Sequence, residues 1–182
     1  MARRATNVTR ARIQEEALAL FSTYGYDATS LQQIATTLDV TKAALYYHFP
    51  SKATLLHSLA DPYVDAERTL LDGYGDGPLD AALRRELLRA LIDLLLAYRP
   101  TVAWLTRDLA ALGQPDIGAC VAANADRLQR LLVGADTDGA GQVRAAAAVG
   151  ALTRPFTVLT DLDLSTLHDT IVAAALGALS AE

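Results

Sequence analysis

The chain has 182 residues, of which 52% are hydrophobic, 20% are charged and only 6% are aromatic. This length allows one large domain, or a small domain joined to a larger one, because domains usually contain about 100–200 residues. The composition is dominated by Ala and Leu, which is typical of a packed helical protein and excludes an intrinsically disordered chain.

Charge is distributed unevenly along the chain. The formal net charge is −5, yet residues 1–60 carry a net charge of +2 and the remaining residues carry −7. A mildly basic N-terminal part can approach a polyanion, whereas an acidic remainder is repelled by one. The asymmetry is therefore compatible with nucleic-acid binding by the N-terminal part, although as a signal it is weak alone.

Cysteine content and hydropathy predict a cytoplasmic protein. The single cysteine, Cys120, excludes a disulfide framework and a cysteine-based zinc site. The first residues contain several arginines but no apolar stretch before a cleavage site, so we expect no signal peptide. The longest uncharged run, Thr170–Ala181, has 12 residues and is shorter than the about 20 that a membrane-spanning helix needs.

Two helices are predicted at the start of the chain. Apolar residues recur at helical spacing from Arg10 to Tyr24, and Gly25 follows as a C-terminal stop. Ser30 and Gln33 then form a capping-box pattern that predicts the beginning of a short second helix.

A third short helix follows after a tight turn. Thr41 is a good N-cap, and Pro50 ends the helix at Phe49 because the residue before a proline avoids the α conformation. Asp39 lies in the turn, where a residue that tolerates positive φ is needed. Two short helices joined in this way predict a helix-turn-helix, and Ser51 caps a longer fourth helix that runs to about residue 71.

The rest of the chain predicts five further helices and no convincing strand. Pro155 is expected to kink or end the helix in which it lies. The predicted fold class is all-α, with a three-helix head over residues 1–56 and a helical body over residues 57–182. Proline, glycine and polar stretches place the body helices at roughly 79–98, 100–112, 115–133, 139–160 and 165–180.

The run VTKAALYYHFPSK from Val40 to Lys52 carries the most specific sequence signal in the chain. With earlier segments such as Ala17–Phe21 and Thr29–Leu31, it resembles the DNA-binding head of the tetracycline-repressor (TetR) family. The resemblance covers about a quarter of the chain, and Asp39 departs from it because the family usually has Gly there.

This resemblance implies a ligand-responsive transcriptional regulator, most simply a repressor. A homodimer would bind a pseudo-palindromic operator in double-stranded DNA, and a small molecule bound in the body would release it. The resemblance implies no cofactor. Two alternatives stay open: a helical enzyme that uses the body cavity, and a DNA-binding regulator controlled by a protein partner.

The third helix is the predicted recognition helix. Its first turn would face base edges in the major groove, with Lys42 as the main base reader, while donors at its end would meet phosphates. The resemblance implies that Thr29, Tyr47 and Lys52 contact phosphates. The predicted DNA-binding residues are Thr29, Thr41, Lys42, Ala43, Tyr46, Tyr47, His48 and Lys52.

Two neighbouring features complete the predicted head. Leu45 and Phe49 are expected in its core, because their spacing turns them toward Ile34 and Leu38. Arg3, Arg4 and Arg10 could form an arm on the DNA, or a solvated tail.

A small-molecule pocket is predicted in the body, where aromatic and aliphatic residues are mixed with a few polar groups. The alternative is that these side chains fill the core or pair on the surface. Cationic residues show no cluster that could hold a polyanion, so we expect an apolar or aromatic ligand. The candidate lining residues are Tyr98, Trp104, Arg107, Asn124 and Phe156.

Small residues recur on the last two predicted helices. They allow close helix packing, either within one subunit or in a four-helix interface between two subunits, and the resemblance favours the interface. The candidate dimerisation residues are Ala147, Ala151, Ile171, Ala174 and Ala178.

Catalytic and metal-binding patterns are weak. The only histidines are His48, His57 and His168, and we expect neither His57 nor His168 to have a Cys, Asp or Glu at the spacing of metal ligands. The glycine-rich stretch Gly73–Pro78 lacks the strand that precedes a phosphate-binding loop and is interpreted as a linker. The sequence therefore predicts no enzyme and no metal site.

Overall fold

Helices joined by short loops make up the computed structural model, which describes residues 9–135, 137–159 and 161–180. No strand occurs in these three ranges, which agrees with the predicted all-α class. The elements are α1 Arg10–Tyr24, α2 Leu31–Thr37, α3 Lys42–His48, α4 Lys52–Asp72, α5 Ala81–Ala97, α6 Arg99–Leu105, α7 Leu109–Leu112, α8 Pro115–Val133, α9 Gly139–Val158, a 3₁₀ turn Leu164–Leu167, and α10 His168–Ser180.

Side-chain caps fix the beginnings of α2 and α3. The Ser30 hydroxyl accepts the Gln33 N–H at 3.2 Å, and the Gln33 side chain accepts the Ser30 N–H at 2.7 Å. This reciprocal pair is the predicted capping box. The Thr41 hydroxyl accepts the Ala44 N–H at 3.2 Å and caps α3, as the sequence predicts.

The turn between α2 and α3 has the predicted backbone geometry. Asp39 has a φ of +52°, in the left-handed region that few L-residues adopt readily. Its N–H bonds to the Thr36 carbonyl, and the next N–H, of Val40, bonds to the Ala35 carbonyl. The α2–turn–α3 segment is therefore a helix-turn-helix.

One side of each head helix is buried. Phe21 on α1 and Ile34 on α2 are almost completely inaccessible, and so are Leu45 and Phe49, which confirms their predicted place in the core. The amide of Gln14 on α1 donates to the Ser58 carbonyl on α4 at 3.0 Å.

The predicted helix over residues 100–112 is wrong, because the structure divides it into α6 and α7. The N–H groups of Arg107 and Asp108 both bond to the Trp104 carbonyl and close α6. The Asp108 carboxylate then accepts the N–H groups of Ala110 and Ala111 and caps α7. A short acidic side chain competes with helix continuation by bonding to the backbone in this way.

The last two helices pack against each other, and α5 packs against both. Ala145 and Ala148 on α9 and Ala175 on α10 are buried, as close helix packing requires. Helix α9 contains Pro155 and ends at Val158, one turn further on.

Two compact units divide the described residues. The first extends to Pro62 and also includes Trp104–Gly118; the second consists of Tyr63–Ala103 and the chain from Ala119 onward. The first unit thus combines the helix-turn-helix with a segment about forty residues further along the chain, which the sequence pattern does not connect with it. In the described part of the chain, no helix has the length and apolar character that crossing a membrane requires.

Candidate nucleic-acid interface

Helix α3 presents an exposed polar face. Thr41, Lys42 and Ala43 in its first turn are exposed, whereas Leu45 is fully buried. A helix that buries one side and leaves its N-terminal turn free has the form that a major groove accepts.

Aromatic side chains dominate the other end of α3. Tyr47 is 85% exposed and Tyr46 is 40% exposed, although large aromatic side chains are usually more buried. The Lys42 ammonium lies 5.4 Å from the centre of the Tyr46 ring. The His48 ring is partly buried and packs edge-on against Tyr47. Hydroxyl, ammonium and imidazole groups thus lie together on one helix.

A concavity of about 440 Å³ lies beside α3 in the first unit. Its lining combines cationic and hydroxyl side chains with the beginnings of α2 and α4. The residues are Asp27, Ala28, Thr29, Ser30, Leu31, Gln32, Lys42, Tyr46, Pro50, Ser51 and Lys52.

Lys52 is held at the edge of this concavity by the loop between α1 and α2. Its ammonium lies 4.1 Å from the centre of the Tyr26 ring and donates to the Asp27 carbonyl at 3.2 Å. Partial burial lowers the pKa of Lys52, and the negative charges of Asp27 and Asp108 oppose that change.

Thr29 differs from the other predicted DNA-binding residues because its side chain is turned inward. It is 1% exposed, and its hydroxyl donates to the Gly25 carbonyl at 2.8 Å. Its N–H bonds to the Tyr26 carbonyl. Thr29 therefore stabilises the loop before α2 through these hydrogen bonds.

Of the three arginines predicted to form an arm, Arg3 and Arg4 lie outside the described residues. Arg10 begins α1, donates to the His48 carbonyl at 3.0 Å and stacks over the Phe49 ring at 4.2 Å. Arg10 thus ties α1 to the end of α3.

The predicted pocket residues fall in different units. Trp104 and Arg107 are in the first unit, and Tyr98, Asn124 and Phe156 are in the second. Trp104 is 2% exposed and stacks on Phe21 with 5.5 Å between ring centres.

Asn124 belongs to a buried polar cluster in the second unit that the sequence analysis missed. Its amide donates to the Val64 carbonyl and to Glu67, both at 3.0 Å. The Tyr63 hydroxyl donates to the other oxygen of Glu67 at 3.2 Å, and its ring lies 5.9 Å from that of Tyr98. The spacing of Tyr63 and Glu67, one helical turn apart on α4, was the available signal.

Burial shifts the pKa values of two members of this cluster. It raises the pKa of the Glu67 carboxyl above its ordinary value, while the hydrogen bonds from Asn124 and Tyr63 oppose the rise. Burial and the adjacent Glu67 also raise the pKa of Tyr63.

The candidate dimerisation residues differ in exposure. Ala147 on α9 and Ala174 on α10 are exposed, and Ala151 and Ala178 are partly exposed. Ile171 is 6% exposed within the single chain and packs inward. Val143, one turn before Ala147, is 69% exposed and extends the apolar outer side of α9.

The segment that contains the candidate interface matches the model of a known protein family. Residues 13–59, from α1 into α4, match the family model described as "Bacterial regulatory proteins, tetR family". Over these residues the chain is similar to the TetR family. The family resemblance in the sequence is thereby confirmed, and the matched residues contain the whole helix-turn-helix.

Named relatives of this chain are transcriptional regulators. It is 36% identical over 94 residues to the uncharacterized HTH-type transcriptional regulator YuxN of Bacillus subtilis. The aligned residues make up 50% of this chain and 32% of YuxN. It is 48% identical over 44 residues to IcaR of Staphylococcus aureus, the negative transcriptional regulator of the biofilm operon icaADBC. These residues make up 24% of each chain. The chain thus spans about a quarter to a third of the length of these curated relatives.

A solved structure extends the likeness to the full length of the chain. The TetR-like transcriptional regulator from Rhodococcus sp. RHA1 is 25% identical to this chain, with a TM-score of 0.67 and full coverage of both chains. Its fold supports the all-α architecture with an N-terminal helix-turn-helix and a helical C-terminal body.

Proposed function

We propose that the protein is a DNA-binding transcriptional repressor that acts as a homodimer and releases its operator when a small, largely apolar molecule binds. The observation that carries the proposal is the exposed face of α3, which presents Lys42, Tyr46 and Tyr47. Lys42 and Tyr46 also line the concavity together with Lys52. Exposed aromatic and cationic side chains on one short helix are expected where a protein meets the sugar–phosphate backbone.

Helix α3 enters the major groove in this proposal. An α-helix with its side chains is about 10–12 Å across, which suits a groove about 12 Å wide. Lys42 contacts base edges, accompanied by Thr41 and the Ala43 methyl. Tyr46, Tyr47, His48 and Lys52 contact phosphates, and Thr29 supports the loop that holds Lys52 in place.

Dimerisation supplies the second recognition helix. Two heads about 34–36 Å apart, or somewhat more, match consecutive turns on one face of the duplex, and a two-fold protein matches an inverted repeat. The outer sides of α9 and α10 form the proposed interface. Because the operators of a bacterium lie in its cytoplasm, the proposal places the protein there.

Selection from a random duplex pool tests DNA binding. The wild-type chain is expected to enrich an inverted repeat, and Tyr47→Phe is expected to weaken binding to enriched and random duplexes by a similar factor. Lys42→Ala is expected to change the enriched sequence itself, since base contacts carry specificity. A wild-type protein that enriches no sequence and binds no duplex at low salt contradicts the proposal.

The ligand part of the proposal rests on the second unit. Buried Tyr63 and partly buried Tyr98 lie next to the Glu67–Asn124 polar contact. Apolar surroundings with few polar groups are typical of small-molecule sites. Phe156 is fully buried in the same unit.

Release of the enriched duplex tests this part. We expect apolar or aromatic compounds to release the DNA, because they bind the DNA-incompetent state more tightly than the competent one. Release by polyanions alone contradicts the assigned ligand class. If no compound releases the duplex but a protein from the same bacterium does, the result supports the protein-partner alternative instead.

A further inference from the structure

The Asp108 carboxylate lies at the centre of a hydrogen-bond network inside the first unit. One oxygen accepts the Tyr26 backbone N–H at 2.6 Å and the Trp104 indole N–H at 3.0 Å. The other accepts the N–H groups of Ala110 and Ala111 at 3.2 and 3.1 Å. Asp108 is partly buried, and charged acceptors form stronger hydrogen bonds than neutral ones.

The residue that Asp108 holds, Tyr26, is also the residue on which Lys52 rests. The Lys52 ammonium lies over the Tyr26 ring and bonds to the carbonyl of the next residue, Asp27. The Tyr26 ring packs edge-on against Phe21, with 5.4 Å between ring centres, and Phe21 stacks on Trp104. Both the backbone and the ring of Tyr26 are thus connected to the Trp104–Asp108 segment.

We propose that Asp108 is a positioning residue for the DNA interface: it holds the Tyr26–Asp27 backbone where Lys52 can meet a phosphate, so that the Trp104–Gly118 segment sets the DNA affinity of the head. The inference rests on the proposed function and deepens it by naming a contact through which that affinity is controlled. When the Asp108 carboxylate is removed or moves away, the Tyr26 N–H loses its acceptor. The Tyr26–Asp27 backbone then no longer holds the Lys52 ammonium in a fixed position.

The sign of the effect separates positioning from simple electrostatics. Asp108 is an anion near a surface proposed to bind a polyanion, so Coulomb repulsion alone predicts that its neutralisation tightens DNA binding. Positioning predicts the opposite, because a phosphate contact is lost.

Asp108→Asn is the variant that isolates the network. Asn caps helices as well as Asp, so the carbonyl oxygen keeps the bonds to Ala110 and Ala111. The amide nitrogen replaces the second oxygen and cannot accept from the N–H groups of Tyr26 and Trp104.

The experiment measures binding of the full chain to the duplex enriched by the wild type, as a function of salt. Asp108→Asn is expected to bind about fivefold more weakly at 0.15 M salt and to lower the slope of log K against log salt by about 0.9, the contribution of one phosphate contact. Lys52→Ala is expected to give the same change. The double variant is expected to match Lys52→Ala alone, because the two residues act through one contact.

Asp80→Asn is the matched control. One oxygen of Asp80 accepts the N–H groups of Ala82 and Leu83, both at 2.9 Å, so it caps α5 as Asp108 caps α7. It lies in the second unit, and its neutralisation changes the charge equally. DNA affinity and salt slope are expected to stay at the wild-type values.

Asp108→Ser provides a second variant if Asp108→Asn does not fold, as judged by circular dichroism and thermal unfolding. The Ser hydroxyl can cap α7, but the Ser side chain is too short to reach the N–H groups of Tyr26 and Trp104. The same loss of DNA affinity and of salt slope is therefore expected. Binding that stays equal or becomes tighter overturns the inference. So does weaker binding that keeps the full salt slope and adds to the effect of Lys52→Ala. A wild-type chain that binds no duplex refutes the proposed function itself and the inference with it.

Discussion

Asp39 shows how one residue can meet a backbone requirement that glycine meets most readily. Its φ of +52° costs most L-residues about 1–2 kcal/mol, and Asp less, because its short polar side chain can bond locally. Glycine has no such cost but loses more conformational entropy on folding. The two effects have similar sizes and opposite signs, so Asp is an acceptable substitute in this turn.

The first prediction follows from that balance. Asp39→Ala is expected to lower the free energy of unfolding by about 1 kcal/mol, because Ala keeps the steric cost without the local bonding. Asp39→Gly is expected to be neutral within about 0.5 kcal/mol, since relief of strain offsets the loss of entropy. Urea unfolding followed by circular dichroism measures both values.

Asp39→Asn serves as the control for charge. Asn also tolerates the left-handed region, so its stability is expected to match the wild type. Equal stability of the Ala and Asn variants would show that backbone conformation does not govern this position.

At the scale of single elements, α4 carries two kinds of group. Its first residue, Lys52, belongs to the candidate DNA interface, and its later turns place Tyr63 and Glu67 in the buried cluster with Asn124 of α8. Burial disfavours the charged form of a carboxyl group, and it accordingly raises the pKa of Glu67.

Glu67 should therefore make stability depend on pH in a defined direction. Its pKa is higher in the folded than in the unfolded state, so between these two values the folded state binds more protons. The contribution of Glu67 to stability is complete below the ordinary pKa of 4.5 and is lost as pH rises through the raised value.

Glu67→Gln tests this second prediction by removing the titration while keeping a similar shape. The wild type is expected to lose stability relative to the Gln variant as pH rises above about 4.5, by about 1.4 kcal/mol for each unit by which the pKa is raised. Thermal unfolding from pH 4 to pH 8 measures the difference. Parallel curves for the two proteins would refute the assignment.

At the scale of the whole molecule, the proposed dimer depends on the outer sides of α9 and α10. These sides expose Val143, Ala147 and Ala174, while the inner sides bury Ala148 and Ala175. One pair of helices can therefore pack within the chain and still present a small-residue surface to a second copy. Ile171 belongs to the inner side.

The third prediction concerns this interface. Ala147→Glu and Ala174→Glu are each expected to convert the dimer to monomers and to weaken operator binding, because an unpaired charge buried in an interface costs several kcal/mol. Sedimentation velocity measures the oligomeric state. Ala125→Glu, at an exposed position of α8, introduces the same charge elsewhere and is expected to leave a dimer. A dimer that persists in both interface variants would place the interface on another surface.

Local signals in the sequence determined the helix-turn-helix. The caps at Ser30 and Thr41, the turn at Asp39 and the buried positions Leu45 and Phe49 all depend on residues within a few positions of one another. Such signals act through backbone hydrogen bonds and helical spacing, which a sequence displays directly.

The tertiary structure alone decided which distant residues act together. Tyr26 and Asp108 are 82 positions apart, and Asn124 is 57 positions from Glu67, so no periodicity or motif connects them. Packing also buries the Thr29 side chain. It stacks Trp104 on Phe21 within the first unit, whereas the sequence predicted Trp104 in the ligand pocket of the body. The physical reason is that such contacts depend on how whole helices pack against each other, and that packing is a property of the complete set of buried side chains.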